Sequence, residues 1–436
     1  MSAAPTRHSG ATLRARSLLN DNSLTMAAGV QLVAGVITSK LAATLLGAAG
    51  VGIFALVQAV ANIVALCALG TGEALVREWG RRRDQPNSPD FGAMLRGAEL
   101  ASLGALAVVA GGALALNGPL ARLILGPGRS NRELFLLAVA GGITFGWVNL
   151  QVNSMVAQRR VRRVSLALAL AATSTPVVAF IGFSRWGLGG IGRVHLLAML
   201  ASLITTSVVI ARPKPVSAVP SVRAALTELP ALVRYGLTHV LGFLFTAAML
   251  LIVPLVVAAR LGVDAAGYYR AAATIAAGMA TLFTFELNGD FSARIAAAST
   301  NDDAFASTMR SQLRRLGLRG VAVVVALSIA APVIVPILFD RGFDPTTRML
   351  PLILAGQLLG LVALTLNIGV GARHGGGSML ANAAVGGVAT VTAVALTDSL
   401  SAVAIAFVVG QAIFLAVCVV STIVRDGTRP LISVTS

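Results

Sequence analysis

The sequence predicts an all-α integral membrane protein of about 12 transmembrane helices, arranged as two repeats of six. Of its 436 residues, 56% are hydrophobic and only 12% are charged, which is too little polar surface to coat a soluble particle of this size. Apolar runs of about 20 residues favour helices over the alternating strands of a barrel. A stretch from Leu46 to Arg77 returns in related form between Leu261 and Arg294, which indicates two halves.

Each copy of this stretch opens with a glycine-rich turn and closes with an acid and an arginine four residues apart. Leu46, Gly47 and Gly52 recur 215 residues later, and the closing acid recurs after 217. Three further groups of anchors recur at offsets of 213 to 214: Pro119, Ile124 and Leu125 as Pro332, Ile337 and Leu338, Asn153 as Asn367, and Arg159 as Arg373. Six crossings per half give both halves one orientation, so the pseudo-twofold axis is predicted along the membrane normal.

The apolar pattern divides the chain into twelve spans and their connections. The spans cover about 24–47, 53–72, 98–117, 134–156, 165–183, 192–211, 239–259, 267–287, 317–339, 348–370, 379–397 and 401–424. The predicted organisation is an N-terminal tail (1–23), an N-lobe (24–211), a linker (212–238), a C-lobe (239–424) and a C-terminal tail (425–436).

The distribution of Lys and Arg predicts that both termini are cytoplasmic. The connections on that side and the span ends next to them carry 24 basic residues, against 9 on the other side. Within the linker, residues 222–233 form a short amphipathic segment, which we expect to lie on the membrane surface.

Composition excludes several classes of function. The net charge of +17 is spread over many short loops, where it indicates topology signals and contacts with anionic lipid rather than nucleic-acid binding. Cys67 and Cys418 lie inside spans and the four histidines are scattered, so neither a disulfide framework nor a metal site is expected. The glycines at 375–377 lack the Lys-Ser/Thr of a nucleotide-binding loop. No catalytic arrangement is evident, so we expect neither an enzyme nor a cofactor.

Polar side chains inside the spans are the candidate functional residues, because they are costly in hydrocarbon. Lys40 either snorkels to the predicted outer surface or faces a hydrated cavity. In the eighth span a polar stripe falls within about 40° of one helical line and predicts a wet cavity; its members are Arg270, Thr274, Thr281, Thr284 and Asn288. The alternative is interhelical hydrogen bonding by the threonines. Amides on other spans complete the set: Gln58, Asn62, Asn149, Asn153, Gln357 and Asn367.

The acid-arginine pairs Glu73/Arg77 and Asp290/Arg294 lie at the predicted cytoplasmic ends of the second and eighth spans. Their recurrence in both halves suggests a cytoplasmic gate at the twofold axis. Their spacing of four residues equally favours a local ion pair at a helix end.

Three motifs resemble those of one transporter family. Lys40 precedes the turn Gly47 to Gly52, the eighth span opens with Gly267-Tyr268-Tyr269, and Phe339-Asp340-Arg341-Gly342-Phe343 precedes the tenth span. These are similar to polysaccharide flippases of the O-antigen (Wzx) type, which belong to the multidrug/oligosaccharidyl-lipid/polysaccharide exporter (MOP) superfamily. The resemblance implies a V-shaped, MATE-like plasma (inner) membrane protein that moves undecaprenyl-pyrophosphate-linked oligosaccharide to the outer leaflet, with polysaccharide polymerase and chain-length machinery as candidate partners.

By this resemblance Lys40 and Arg270 would be cavity cations, whereas Gln357 stands where an acidic residue is expected and cannot carry a proton. Two rival functions remain open. A cation-coupled drug exporter should hold a carboxylate deep in a lobe, but the carboxylates here lie near span ends. An envelope glycan polymerase or ligase should carry a long extracytoplasmic loop, and no outer connection exceeds about 20 residues.

Overall fold

The computed structural model describes residues 9–82, 91–126, 129–158, 160–210, 221–246, 251–287 and 291–426. Within these ranges the regular elements are all helical, joined in two places by short 3₁₀ turns at Gly187–Gly190 and Arg341–Phe343. The α-helices are α1 (Ser9–Arg82), α2 (Phe91–Ala115), α3 (Asn117–Leu125), α4 (Arg129–Ala157), α5 (Val161–Trp186), α6 (Ile191–Ile210), α7 (Val222–Thr246), α8 (Val253–Leu261), α9 (Val263–Glu286), α10 (Ser292–Ala298), α11 (Asp302–Leu338), α12 (Asp344–His374), α13 (Gly376–Ala395) and α14 (Leu400–Asp426).

In the described part of the chain, the predicted spans fall on these helices or extend at most two residues beyond them. Eight stretches of described helix are long and apolar enough to cross a membrane. Two of them, Gly29–Leu66 and Val161–Ile210, each cover most of two predicted spans. The seventh and eighth predicted spans fall on α7 to α9. The prediction of an all-helical membrane protein is therefore confirmed.

The two glycine-rich turns adopt the same backbone conformation. Gly47 interrupts α1 with φ 70° and ψ −168°, and Gly262 separates α8 from α9 with φ 91° and ψ 171°. Only glycine adopts a positive φ of this kind without steric cost. The repeat therefore extends from the sequence to the backbone. We call the two parts of α1 before and after Gly47 its first and second arms.

The helices pack as two groups. In the first half, α1, α4, α5 and α6 pack around one another. In the second half α12, α13 and α14 do the same, and α11 packs on α12. Helix α9 belongs by sequence to the second half, but it packs against both α1 and α12. The line along which α1 meets α9 is therefore a contact between the halves.

Helix α7 also bridges the halves, and it contains the segment predicted to lie on the membrane surface. It packs on α1 and α2 on one side and on α13 on the other. Ala225 and Leu232 are fully buried, and Leu232 lies in a cluster with Leu75 and Met94. One apolar face of the segment therefore docks on protein, while Leu226 and other apolar residues remain exposed.

Candidate functional site

The halves approach most closely at two glycines that are repeat counterparts of each other. A Cβ at Gly52 would overlap the carbonyl oxygen of Val263, and a Cβ at Gly267 would overlap the carbonyl oxygen of Ala48. Val263 is itself the counterpart of Ala48, so the two contacts are related by the repeat, as in a twofold-symmetric interface. We call this double contact the glycine seam.

A cavity of about 230 Å³ lies beside the seam, between both arms of α1, α5 and α9. Its lining combines apolar side chains with amides, hydroxyls and one guanidinium. The lining residues are Gln31, Leu32, Gly35, Val36, Thr38, Ser39, Phe54, Gln58, Thr175, Arg270, Thr274, Ala277, Gly278 and Thr281.

Arg270 is the charged group of this lining, and a residue of the other half holds it. Its Nη2 donates a hydrogen bond of 2.8 Å to Oε1 of Gln58 on the second arm of α1. None of the described lining residues is Asp or Glu. The cavity wall therefore carries a net positive charge, whose hydrogen-bond partner is a neutral amide.

The predicted polar stripe of α9 continues from Arg270 along the cavity wall. Thr274 and Thr281 both line it, and each hydroxyl donates to the carbonyl oxygen four residues earlier, at 2.8 Å. Their oxygen lone pairs stay free to accept hydrogen bonds from a ligand. Thr281 lies 11 residues after Arg270, or about 16 Å along the helix at 1.5 Å per residue. The side chain of Thr284 and all of Asn288 lie outside the described part of the chain.

Sequence reasoning missed the polar residues that the first arm of α1 and α5 contribute. Gln31, Thr38, Ser39 and Thr175 all line the cavity. The seven-residue spacing of Gln31 and Thr38 was an available signal, because residues seven apart share a helical face.

Lys40 does not join Arg270. It is exposed and is absent from the cavity lining. It shares a helical face with Val33 and Ile37, seven and three residues earlier, whose side chains are 58% and 44% exposed. This placement agrees with the snorkelling alternative rather than with a cavity cation.

The other predicted amides also lie outside the cavity lining. Asn367 is fully buried; it donates to the carbonyl of Met379 at 3.0 Å and accepts from Asn382 at 3.1 Å, so it ties α12 to α13. Asn153 packs against Gly72 of α1. Three further predicted amides are partly buried in the protein: Asn62, Asn149 and Gln357. The described contacts therefore give Asn367 a structural role between α12 and α13, and its predicted role in binding a ligand stays a prediction.

The proposed gate residues are only partly described. The guanidinium of Arg77 lies 4.3 Å from the centroid of the Tyr235 ring on α7, and the described contacts include no ion pair between Arg77 and Glu73. Arg294 is partly buried in α10. Asp290 lies outside the described residues. At this end a cation-aromatic contact therefore joins α1 to α7. The cytoplasmic gate stays a prediction.

Two motifs from the sequence meet each other in space. The Tyr268 ring contacts the Phe343 ring edge-on, with centroids 5.5 Å apart, and the Thr346 hydroxyl donates to the Tyr268 carbonyl at 3.0 Å. The turn before α12 is thus anchored to the start of α9, two residues before Arg270. This contact fixes the end of the helix that carries the cavity cation.

No family model and no curated protein sequence matches the chain. Solved structures do. An inward-facing multidrug-resistance MATE transporter of the MOP superfamily superposes with a TM-score of 0.73 at 16% identity, over 92% of this chain and 96% of that one. The lipid II flippase MurJ, in an inward closed conformation, gives 0.69 at 11% identity, over 92% and 87%. A MOP transporter from Pyrococcus furiosus, with a binding pocket described as reversed in polarity, gives 0.61 at 16% identity, over 92% of each chain.

These likenesses extend over nearly the whole of each chain. The sequence identities are too low for the substrate of a neighbour to be assigned to this chain. The chain therefore has the fold of the MOP-superfamily transporters.

Proposed function

We propose that the protein is a flippase that moves undecaprenyl-pyrophosphate-linked oligosaccharide from the cytoplasmic to the outer leaflet of the plasma membrane. The observation that carries this proposal is the cavity at the contact between the halves, where Arg270 meets amides and hydroxyls and no carboxylate. In this proposal the halves rock about the repeat axis and expose the cavity to each side in turn.

The chemistry of the lining matches such a substrate. A guanidinium forms strong charge-assisted hydrogen bonds with phosphate oxygens. Amides and hydroxyls, such as Gln31 and Thr281, hydrogen-bond sugar hydroxyls without demanding a charge. A cavity of about 230 Å³ is smaller than the 300–1,000 Å³ or so of typical ligand sites. It therefore suits the diphosphate and its nearest sugar, while the polyprenyl chain stays in the lipid.

A cation-coupled drug exporter is the second candidate, because solved neighbours include multidrug-resistance transporters. A cationic drug calls for a carboxylate in the site, whereas the described lining offers a guanidinium instead. One neighbour is named as a lipid II flippase, which supports a lipid-linked substrate on this fold. The sign of the charge in the cavity favours the flippase.

The proposal is tested by reconstituting the protein in liposomes with fluorescent undecaprenyl-pyrophosphate-linked oligosaccharide in one leaflet. The Arg270→Ala variant should lose at least about tenfold in flipping rate, the scale of one charge-assisted hydrogen bond. Arg270→Lys should keep part of the rate. Arg260→Ala is the matched control, because Arg260 is an exposed cation at the end of α8 and its loss should leave the rate unchanged.

Two results would overturn the proposal. One is full flipping by Arg270→Ala at normal protein level. The other is uptake of a cationic dye by the wild type, in the same liposomes, without any flipping of the lipid-linked glycan. The second result would favour the drug exporter.

Three further features belong to this proposal. The protein resides in the inner membrane with both termini in the cytoplasm, it acts as a transporter and not as an enzyme, and it hands its product to polysaccharide polymerase and chain-length machinery. The excess of basic residues on the predicted cytoplasmic side supports the orientation.

A further inference from the structure

The hydrogen bond between Gln58 and Arg270 joins the two halves of the protein beside the glycine seam. Arg270 follows the seam residue Gly267 by three positions on α9, and Gln58 follows Gly52 by six on the second arm of α1. The bond is 2.8 Å long and links side chains 212 residues apart in sequence. Any separation of the halves at the seam must stretch or break it.

The contact related to this one by the repeat has no such hydrogen bond. At the offset of 215 residues, the counterpart of Gln58 is Ala273 and the counterpart of Arg270 is Ala55. These alanines are 0% and 2% exposed, so small apolar groups fill the symmetric position. Close packing of the halves therefore requires no polar pair here. The pair is present on one side of the axis only, and that side is the one that faces the cavity.

We propose that the Gln58–Arg270 hydrogen bond is a latch that an anionic ligand releases. The inference rests on the proposed function, because it takes a phosphate-bearing ligand as the occupant of the cavity. In the structure the amide oxygen of Gln58 accepts a hydrogen bond from the guanidinium of Arg270, and this bond holds the halves together. A phosphate oxygen is a stronger acceptor for a guanidinium than a neutral amide is, so the ligand replaces Gln58 at Arg270.

This exchange links binding to movement of the halves. Once Gln58 is displaced, the contacts that remain beside it include the backbone approaches of Gly52 and Gly267 and the buried Ala55 and Ala273, none of which carries a charge. The seam lies at the Gly47 and Gly262 end of the helices, which is the predicted outer end. A ligand bound in the cavity therefore weakens the contact through which it must leave. A ligand shifts a conformational equilibrium only by such a difference in contacts between two states.

The test measures the width of the seam with and without ligand. Spin labels are placed at Thr44→Cys, before the Gly47 turn, and at Asp264→Cys, after the Gly262 turn; both native side chains are exposed. The background carries Cys67→Ser and Cys418→Ala. The protein sits in phosphatidylcholine nanodiscs, and the probes are undecaprenyl pyrophosphate and, as a neutral control, undecaprenol. A third arm adds phosphatidylglycerol to ask whether a lipid headgroup phosphate acts alone.

We expect undecaprenyl pyrophosphate to raise the population with a longer label distance by about tenfold, the scale of one hydrogen bond to a charged group, and undecaprenol to leave it unchanged. Gln58→Ala should show the long-distance population without any ligand. Gln58→Glu should form an ion pair with Arg270 and keep the short distance at ligand concentrations that open the wild type. Gln31→Ala is the control: it removes a cavity amide that does not hold Arg270, and its unliganded distances should match the wild type.

Binding of undecaprenyl pyrophosphate is measured separately, by its effect on the unfolding temperature of each variant. If the wild type binds the ligand but Gln58→Ala has the same unliganded distances as the wild type, the latch is refuted and the proposed function stands. If the wild type does not bind the ligand, the anionic-substrate proposal fails with it. An opening caused by phosphatidylglycerol alone would make the headgroup of a bulk lipid the releasing phosphate.

Discussion

The contrast between Arg270 and Lys40 shows what decides the role of a charged residue in a membrane helix. Arg270 lines the cavity. Lys40, for which the sequence leaves both snorkelling and a hydrated cavity open, does not line it. Arg270 lies on one helical face with Thr274 and Thr281, so the sequence predicts which side of α9 faces the cavity. The face of Lys40 carries one hydroxyl, that of Thr44, beside the apolar side chains of Val33 and Ile37. Depth in the membrane can be predicted from position in a span, whereas direction requires a pattern of neighbours.

The same contrast makes a prediction for Lys40. Lys40→Ala should flip the lipid-linked glycan within about twofold of the wild type, since an exposed snorkelling cation contributes little. The same fluorescent assay as for Arg270 measures it, at matched protein level. A tenfold loss would mean that Lys40 contacts the substrate, contrary to its exposed position away from the cavity.

At the scale of single elements, helices and their glycine breaks could be predicted, but their partners could not. Gly47 and Gly262 were identified as turns from the repeat, and the structure gives both a positive φ. The close approach of Gly52 to α9 depends on the distances between helices, and a single sequence does not reveal these distances. For the same reason the amphipathic pattern of residues 222–233 was assigned to the membrane surface, although Ala225 and Leu232 pack on protein.

The seam predicts a difference between glycines that look alike in the sequence. Gly52→Ala and Gly267→Ala should each destabilise the protein by about 1–3 kcal/mol, because the new Cβ meets a backbone carbonyl that cannot move aside alone. Thermal unfolding in detergent measures this effect. Gly111→Ala is the matched control: a Cβ there meets open space, and alanine is the better helix former. Equal unfolding temperatures for all three variants would show that the seam is not close-packed.

For the whole molecule, the internal repeat carried most of what the sequence could predict. Composition and apolar runs predict the helical membrane fold, whereas the repeat predicts the two halves and the two glycine turns. The contacts of Gly52 with Val263 and of Gly267 with Ala48 follow the offset of the repeat. The cavity could be predicted only in part, because its lining comes from three helices and the first arm of α1 gave no strong signal. Asn367 was assigned to it from polarity alone, whereas the bonds to Met379 and Asn382 show a tie between helices.

The orientation of the whole molecule is tested by reporter fusions. A phosphatase that is active only outside the cytoplasm should be inactive when fused within residues 212–220, and active when fused after Asp398, in the predicted outer turn between α13 and α14. The two fusions serve as each other's control for expression. The reverse pattern would invert the topology and, with it, the direction of transport.

The residues on the two sides of the twofold axis differ, and this difference has a consequence for the stoichiometry of binding. Gln58 and Arg270 lie on one side of the axis, and Ala273 and Ala55 lie on the other. If the protein is the flippase that we propose, one turnover loads a single anionic head group, always in the same orientation about the axis, although the scaffold around it is built in duplicate. A doubled scaffold with both polar pairs would instead admit two cargoes or one cargo in two poses.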